Sequence, residues 1–249
     1  MKGKNMPSER LDKIIASQLN ISRKDARTGI RRGMARVNGE AVKAPDFQVK
    51  PGEDIIEYGG NRLSYKKYIY IVMNKPAGVL SASEDRNRQT VTDLVPDGLK
   101  RKGLFPVGRL DRDTTGLMII TDDGDFAHRV LAPSKSIYKT YRAVLDGDIT
   151  EETLGIFSRE ITLADGTVCR RAYLKRLDRR TAEIKICEGR YHQIKRMFGV
   201  AGLGVCRLER LAIGDFRLPD NLKPGECVEF HKNELEPIFS GNANSLDAY

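Results

Sequence analysis

The residues best placed to do chemistry stand in one short stretch, Gly108-Arg109-Leu110-Asp111-Arg112-Asp113-Thr114-Thr115-Gly116-Leu117. It sets a carboxylate beside an arginine just before the apolar run Met118-Ile119-Ile120 and the turn Asp122-Asp123-Gly124. Apolar residues 117–120, bounded by glycine on one side and by that turn on the other, predict a short buried strand. Asp111 then sits on a loop packed against the core, where an acid can be held rigidly. Taken alone, an Asp-rich loop of this kind is more often a surface turn with local ion pairs, so the assignment needs support elsewhere in the chain.

Three further segments supply it. Ile71-Val72-Met73-Asn74-Lys75-Pro76-Ala77-Gly78-Val79 reads as a strand ending in an Asn-Lys-Pro turn. Lys139-Thr140-Tyr141 opens another strand, and Glu188-Gly189-Arg190-Tyr191-His192-Gln193-Ile194-Lys195-Arg196-Met197 runs into a helix. With the Asp111 stretch, these segments resemble the motifs of the pseudouridine synthases, specifically the RsuA family, and the resemblance spans nearly the whole chain. It implies that Asp111 is the essential residue, that Tyr141 is the active-site tyrosine and that Lys195 is the basic partner of the aspartate.

The implied reaction breaks the bond from C1′ to N1 of a uridine, turns the free uracil and joins C5 to C1′. No redox change or energy input occurs, so neither cofactor nor metal is expected. The carboxylate serves as nucleophile at C1′ or the base, or assists proton removal to give a glycal, and the sequence leaves both routes open. Either way it must be ionised. An aqueous aspartate titrates near ~3.9 and burial raises that value, so a neighbouring cation is needed. Lys195 is expected to be that cation, with Arg109 second. Tyr141 offers a face for the displaced base and a hydroxyl for the C5 proton. A uridine stacked in folded RNA has to be flipped out. The resemblance gives Arg109 the vacated space or the flipped nucleotide, and Asn74 and Lys75 the pocket wall or a phosphate. His192 and Gln193 are expected to orient Lys195, and Asp113, Thr114 and Thr115 to serve loop structure.

Composition sets the frame around these residues. The 249 residues suffice for one large domain plus a small one, and 40% hydrophobic content can form a sizeable core. No apolar run reaches the ~18 residues of a membrane span. The basic start, Met1-Lys2-Gly3-Lys4-Asn5-Met6-Pro7, has no apolar stretch behind it, which argues against a secretory signal. Cys169, Cys187, Cys206 and Cys227 are widely separated, as are His128, His192 and His231. That spacing suits reduced thiols in a cytoplasmic protein and no zinc cluster. The net charge of +9 is uneven: residues 1–67 hold 15 Lys and Arg against 8 Asp and Glu, the remainder 28 against 26. A concentrated positive field at the N-terminal end attracts polyanions.

The elements follow from periodicity and turn chemistry. Residues 9–19 predict an amphipathic helix through Leu11, Ile14, Ile15 and Leu19, with Ser8 as N-cap. Ser22 and Asp25 predict the start of a second helix and Gly33 its end. Arg23, Arg27 and Arg31 share one face of it, with Lys24 and Arg32 alongside. Like charges at that spacing repel, and a phosphate backbone would relieve them. A hairpin follows at 35–42 around Asn38-Gly39, then a strand at 52–57. This order resembles the S4 RNA-binding module, placed at residues 8–58, with a linker at 59–67. The catalytic domain is expected at 68–240, and a flexible tail at 241–249. Strands are predicted at 68–73, 141–145, 181–186 and 227–230, and helices at 125–131 and 191–200, ended by Pro133 and Gly199. The fold class is α+β: a small S4-like module, then a pseudouridine-synthase fold on a mixed, mainly antiparallel sheet.

The leading expectation is therefore a cytoplasmic, monomeric isomerase acting on ribosomal RNA. The version Tyr191-His192-Gln193-Ile194-Lys195 resembles the branch acting on 16S rRNA of the small subunit more than the large-subunit branches, whose basic residue there tends to be arginine. A non-catalytic RNA-binding protein is the rival, disfavoured by the presence of Asp111. A hydrolase or phosphotransferase would need a phosphate loop or an acidic metal cluster, and neither pattern is present.

Overall fold

In the computed structural model, which describes residues 7–240, the chain divides into two compact units. One holds residues 7–68 with Lys100–Gly103, the other Ile69–Leu99 with residues 104–240. The expected tail at 241–249 lies outside the described residues.

The first unit contains β1 (Glu9–Arg10), α1 (Leu11–Gln18), α2 (Arg23–Arg31), β2 (Ala35–Val37), β3 (Glu40–Val42), β4 (Gln48–Val49), β5 (Ile56–Tyr58) and β6 (Asn61–Arg62). Leu11, Ile14 and Ile15 of α1 pack with Ala26 and Ile30 of α2 and with Val37, Val49 and Ile56 from the strands. Burying such side chains contributes about 1.5–3 kcal/mol each, which is what holds two short helices in place. Leu19 stands beyond the helix, at its C-cap, and is exposed, and Arg10, not Ser8, occupies the N-cap position of α1. Ser22 caps α2 as predicted, its Oγ accepting from the Asp25 amide at 3.0 Å, and Gly33 follows the helix with a left-handed φ of 81°. Asn38 and Gly39 both take positive φ, 52° and 85°, as the tight turn between β2 and β3 requires.

Two boundaries differ from expectation. The strand predicted at 52–57 begins only at Ile56, because the Asp54 carboxylate accepts bonds from the Lys50 amide at 2.7 Å and from Asn38 Nδ2 at 2.9 Å and so draws residues 50–54 into a turn. Residues 59–67, expected as a linker, belong to the first unit. Gly59-Gly60 turns β5 back onto β6, with Glu57 opposite Arg62.

The second unit comprises β7 (Tyr70–Lys75), β8 (Phe105–Pro106), β9 (Thr115–Thr121), α3 (Gly124–Leu131), β10 (Lys139–Leu145), α4 (Glu151–Phe157), β11 (Ile161–Thr162), β12 (Val168–Cys169), β13 (Tyr173–Arg176), β14 (Thr181–Ile186), α5 (Gln193–Val200), β15 (Val205–Ile213), β16 (Phe216–Arg217) and β17 (Cys227–Phe230). Its main sheet runs β13-β14-β10-β15-β9-β7-β17. Among the described residues every pairing along that path is antiparallel except β9 with β15. The sheet is therefore mixed and mainly antiparallel, as expected. Its apolar layer includes Ile71, Met73, Met118, Ile120, Ala143, Ile184, Met197 and Phe198, so that β7, β9, β10, β14 and α5 share one core. The central strand β15 was not among the predicted elements, since Arg207, Glu209 and Arg210 interrupt its apolar pattern. Gly199 lies within α5, and the left-handed residue beyond that helix is Gly202.

Charge organises the first unit as much as burial does. Asp12 is fully buried on α1 and receives Arg10 Nε at 3.1 Å, Arg23 Nη2 at 2.9 Å and Arg27 Nε at 2.7 Å. Two of the three arginines in the α2 stripe are thus drawn to an anion inside the protein, which relieves the repulsion that the stripe would otherwise carry. Burial alone would raise the Asp12 carboxyl, but the bonds from Arg10, Arg27 and Arg23 outweigh it and hold the group well below the ordinary carboxylate range. Its stabilising contribution is complete above the ordinary value of 3.8 and is lost as pH falls below it. We predict that Asp12→Ala lowers the unfolding free energy by about 2–3 kcal/mol, less than for a pair buried on both sides because the arginines reach solvent. The loss measured by denaturant titration should shrink towards zero when repeated at successively lower pH.

Candidate active site

The Asp111 loop is held from beneath by a lysine. Lys75, at the end of β7, is fully buried, and its Nζ donates to the carbonyls of Thr114 at 2.9 Å, Pro76 at 3.1 Å, and Asp111 and Arg112 at 3.2 Å. An ammonium has three N–H donors, so one is shared between two of these four acceptors. Burial lowers Lys75 to about 8, against the pull of the Asp113 and Asp111 carboxylates. Two further ties close the loop from the side. Ser81 Oγ accepts from the Leu110 amide at 3.0 Å and donates to the Leu110 carbonyl at 2.9 Å, while the Gly78 amide donates to the Arg112 carbonyl at 2.8 Å.

The Asp111 side chain, 27% exposed, faces α5. Lys195 Nζ stands 3.5 Å from Asp111 Oδ2, and His192 Nε2 stands 3.6 Å from Asp111 Oδ1. Lys195 is nearer still to Asp113, donating at 2.6 and 2.8 Å to its two carboxylate oxygens. This bond is the main reason that the Asp113 carboxyl is held below its ordinary value. One ammonium therefore lies across two carboxylates. The entry into α5 fixes that geometry: buried Gln193 donates to Glu188 at 2.7 Å and accepts from the Arg190 amide at 3.0 Å, pinning residues 188–193. His192, at the N-cap, takes the left-handed conformation, φ 46° and ψ 35°, which non-glycine residues adopt rarely.

A row of paired residues crosses the sheet under this loop. Lys75 pairs with Gly116, Gly116 with Arg210 and Arg210 with Tyr141. Gly116, with φ 99°, is required: a Cβ there would sit 2.3 Å from the Arg210 carbonyl oxygen, blocking the approach of β9 to β15. Arg210 is buried and donates through Nε to the Leu117 carbonyl at 2.8 Å. Lys139, on the adjoining strand, bonds the Ile137 carbonyl at 2.8 Å and is lowered to about 8, by burial first and by the nearby Arg210 charge second. Tyr141 is buried, and among the described residues nothing bonds its hydroxyl.

The predicted site residues thus separate. Asp111 and Lys195 come together, and Tyr141 joins the row of residues beneath them. Asn74 and Lys75, expected at the pocket wall or on phosphate, are instead structural. Asn74 is buried and its Nδ2 donates to the Leu222 carbonyl at 2.8 Å, and the Lys75 ammonium is consumed by backbone. Their position at the inner end of β7, buried on every face, accounts for the difference. Arg109 is exposed and has no side-chain partner among the described residues. In the first unit Lys24, Arg31 and Arg32 are exposed and likewise unpaired, whereas Arg23 and Arg27 are tied to Asp12. His192, expected to orient Lys195, contacts Asp111 itself. Asp113, expected only to shape the loop, takes the tightest bond of Lys195. Ser81 and Arg210 carry no signal by motif; Arg210 is detectable only as a charge at a buried register of β15.

The family model described as RNA pseudouridylate synthase matches residues 69–199, and that of the S4 domain matches residues 9–55. An uncharacterized RNA pseudouridine synthase of Aquifex aeolicus (strain VF5) is 37% identical over 230 residues, covering 92% of this chain and 95% of the relative. Ribosomal small subunit pseudouridine synthase A of Escherichia coli (strain K12) is 36% identical over 231 residues, covering 92% and 99%. A solved structure described as a crystal structure of pseudouridylate synthase is 34% identical, covers 92% of this chain and 99% of its own, and superimposes with a TM-score of 0.64.

The role of Lys75 is open to a direct test. Lys75→Met keeps the length of the side chain and removes the donor, leaving carbonyls of the Asp111 loop unpaired at about 1–3 kcal/mol each, partly offset by no longer burying an ammonium. The expected result is a fall of about 2–4 kcal/mol in the unfolding free energy, with amide exchange accelerated at residues 111–114 more than in β9. Unchanged exchange in that loop would show that Ser81 and Gly78 hold it unaided.

Proposed function

The chain belongs to the RNA pseudouridylate synthase family, and from that premise we propose that it isomerises a uridine of 16S ribosomal RNA, with Asp111 as the reacting carboxylate. The observation that supports this reading is the ammonium of Lys195 placed 3.5 Å from a carboxylate on a rigidly tied loop. Such a pairing sets a positive charge beside the carboxylate oxygens that the chemistry at C1′ would use. Asp111 acts as nucleophile or assists proton removal to a glycal; either way the same oxygens face the reacting nucleotide. Tyr141 stacks on the uracil and offers its unpaired hydroxyl to the C5 proton. Arg109, exposed beside Asp111, fills the space left by the flipped nucleotide. The small-subunit target is favoured by the 36% identity to the E. coli small-subunit enzyme and by the Tyr-His-Gln-Ile-Lys version of the α5 motif.

The S4 unit supplies affinity for phosphate. Lys24, Arg31 and Arg32 meet the backbone with their charges free, while Arg23 and Arg27 contribute only what Asp12 leaves them.

Asp111→Asn keeps the shape and removes the charge. Its single-turnover rate on 16S rRNA should fall by more than about a thousandfold while RNA affinity and unfolding midpoint stay near wild type. Turnover above that bound would remove Asp111 from the reacting position. Mapping pseudouridines in rRNA from cells with and without the gene should show one or more sites lost from 16S rRNA; losses confined to 23S rRNA would overturn the assignment of target.

A further inference from the structure

Tyr191 is a large aromatic side chain beside the site that the reaction described above leaves idle. It is 74% exposed, more than any other large hydrophobic residue of the described chain. Its ring lies against the imidazole of His192, with centroids 3.8 Å apart and planes 19° from parallel. One face of the phenol is therefore covered by protein and the other is open to solvent. The imidazole behind it reaches Asp111, 3.6 Å away at Nε2. The strained left-handed backbone of His192 is what allows the ring to stack on Tyr191 while its edge meets the carboxylate. Arg196 steadies the backbone at this point, its Nη1 donating to the Tyr191 carbonyl at 3.5 Å while its Nη2 pairs with Asp165 at 2.5 Å. An aromatic face open on one side and backed by a second ring has the features on which nucleic-acid bases stack.

We propose that Tyr191 is a stacking platform for an RNA base flanking the target uridine, with His192 as its rigid backing. The proposal rests on the reading of the chain as an RNA isomerase and adds a binding residue to it. The flanking base is the occupant, not the target, because a side chain this exposed cannot enclose the uracil, whereas buried Tyr141 can. The stack also ties recognition to the site: a base seated on Tyr191 bears on the imidazole that touches Asp111.

The test uses short uridine-rich oligoribonucleotides carrying the fluorescent base 2-aminopurine on one side or the other of a central uridine. Titration with the full-length protein reads binding without turnover. The wild-type protein should quench the probe at one of the two flanking positions. Tyr191→Phe should quench alike, and Tyr191→Ala should quench at least about fivefold less, as expected when one base–aromatic stack is lost. Circular dichroism of each variant should match wild type, since Tyr191 is exposed. No quenching by wild type, equal quenching by the Ala variant, or loss of quenching in the Phe variant would each overturn the platform. The titration is independent of pseudouridine mapping, so failure of the isomerase reading would show in the mapping and failure of the platform in the fluorescence.

Discussion

Lys75 Nζ bonds four carbonyl oxygens, three of them in the loop from Asp111 to Thr114, so the shape of the loop that presents the carboxylate follows from the burial of one ammonium. A loop usually moves more than the elements it joins, because its backbone groups bond water. Here water is replaced by a cation anchored at the end of a strand buried on both faces. Ser81 and Gly78 add lateral ties to Leu110 and Arg112. The position of Asp111 is thereby set before any substrate arrives, the condition under which a charged group can act without reorganising.

The charges around this loop form two layers. Lys75, Arg210 and Lys139 lie withdrawn from water on neighbouring strands, and burial depresses both lysines. Asp111 and Asp113 stand at the mouth, with Lys195 across them. Of the inner cations it is Lys75 that the carboxylates steady, Asp113 and Asp111 opposing the effect of its burial. Such an arrangement is costly to leave incomplete, because a buried charge whose partner is removed loses more than the pair contributes.

Much of this was legible in the residues. Strands 181–186 and 227–230 coincide with β14 and β17, the Asn38-Gly39 turn has its expected backbone, and Ser22 caps α2. These features depend on local rules, a two-residue period or a turn residue with positive φ, which neighbours in sequence suffice to express. What escaped notice depends on tertiary context. β15 is central yet carries Arg207, Glu209 and Arg210, whose charges are tolerated because Arg207 is exposed, Glu209 pairs with Arg142 and Arg210 finds the Leu117 carbonyl. Lys75 reads as a residue of the pocket wall or a phosphate contact until the loop it serves, 36 to 39 residues later, is folded over it. Asp12 looks like a solvent-facing residue of an amphipathic helix until two arginines of α2 and Arg10 close on it.

The pairing of β9 with β15 has a kinetic meaning. Gly116 and Arg210 are joined in register although they stand 94 positions apart in the chain, and this is the parallel ladder on which the row from Lys75 to Tyr141 depends. Contacts between such distant segments bear a large loop-closure entropy and tend to form after local hairpins and helices have appeared. A nascent chain can therefore acquire β7, β9 and the α3 helix well before α5 and β15 have been synthesised, and at that stage Asp111 has neither Lys195 nor His192 beside it. The site comes into being only with long-range contacts of its unit, so that a partly folded molecule presents an acidic loop but no assembled chemistry.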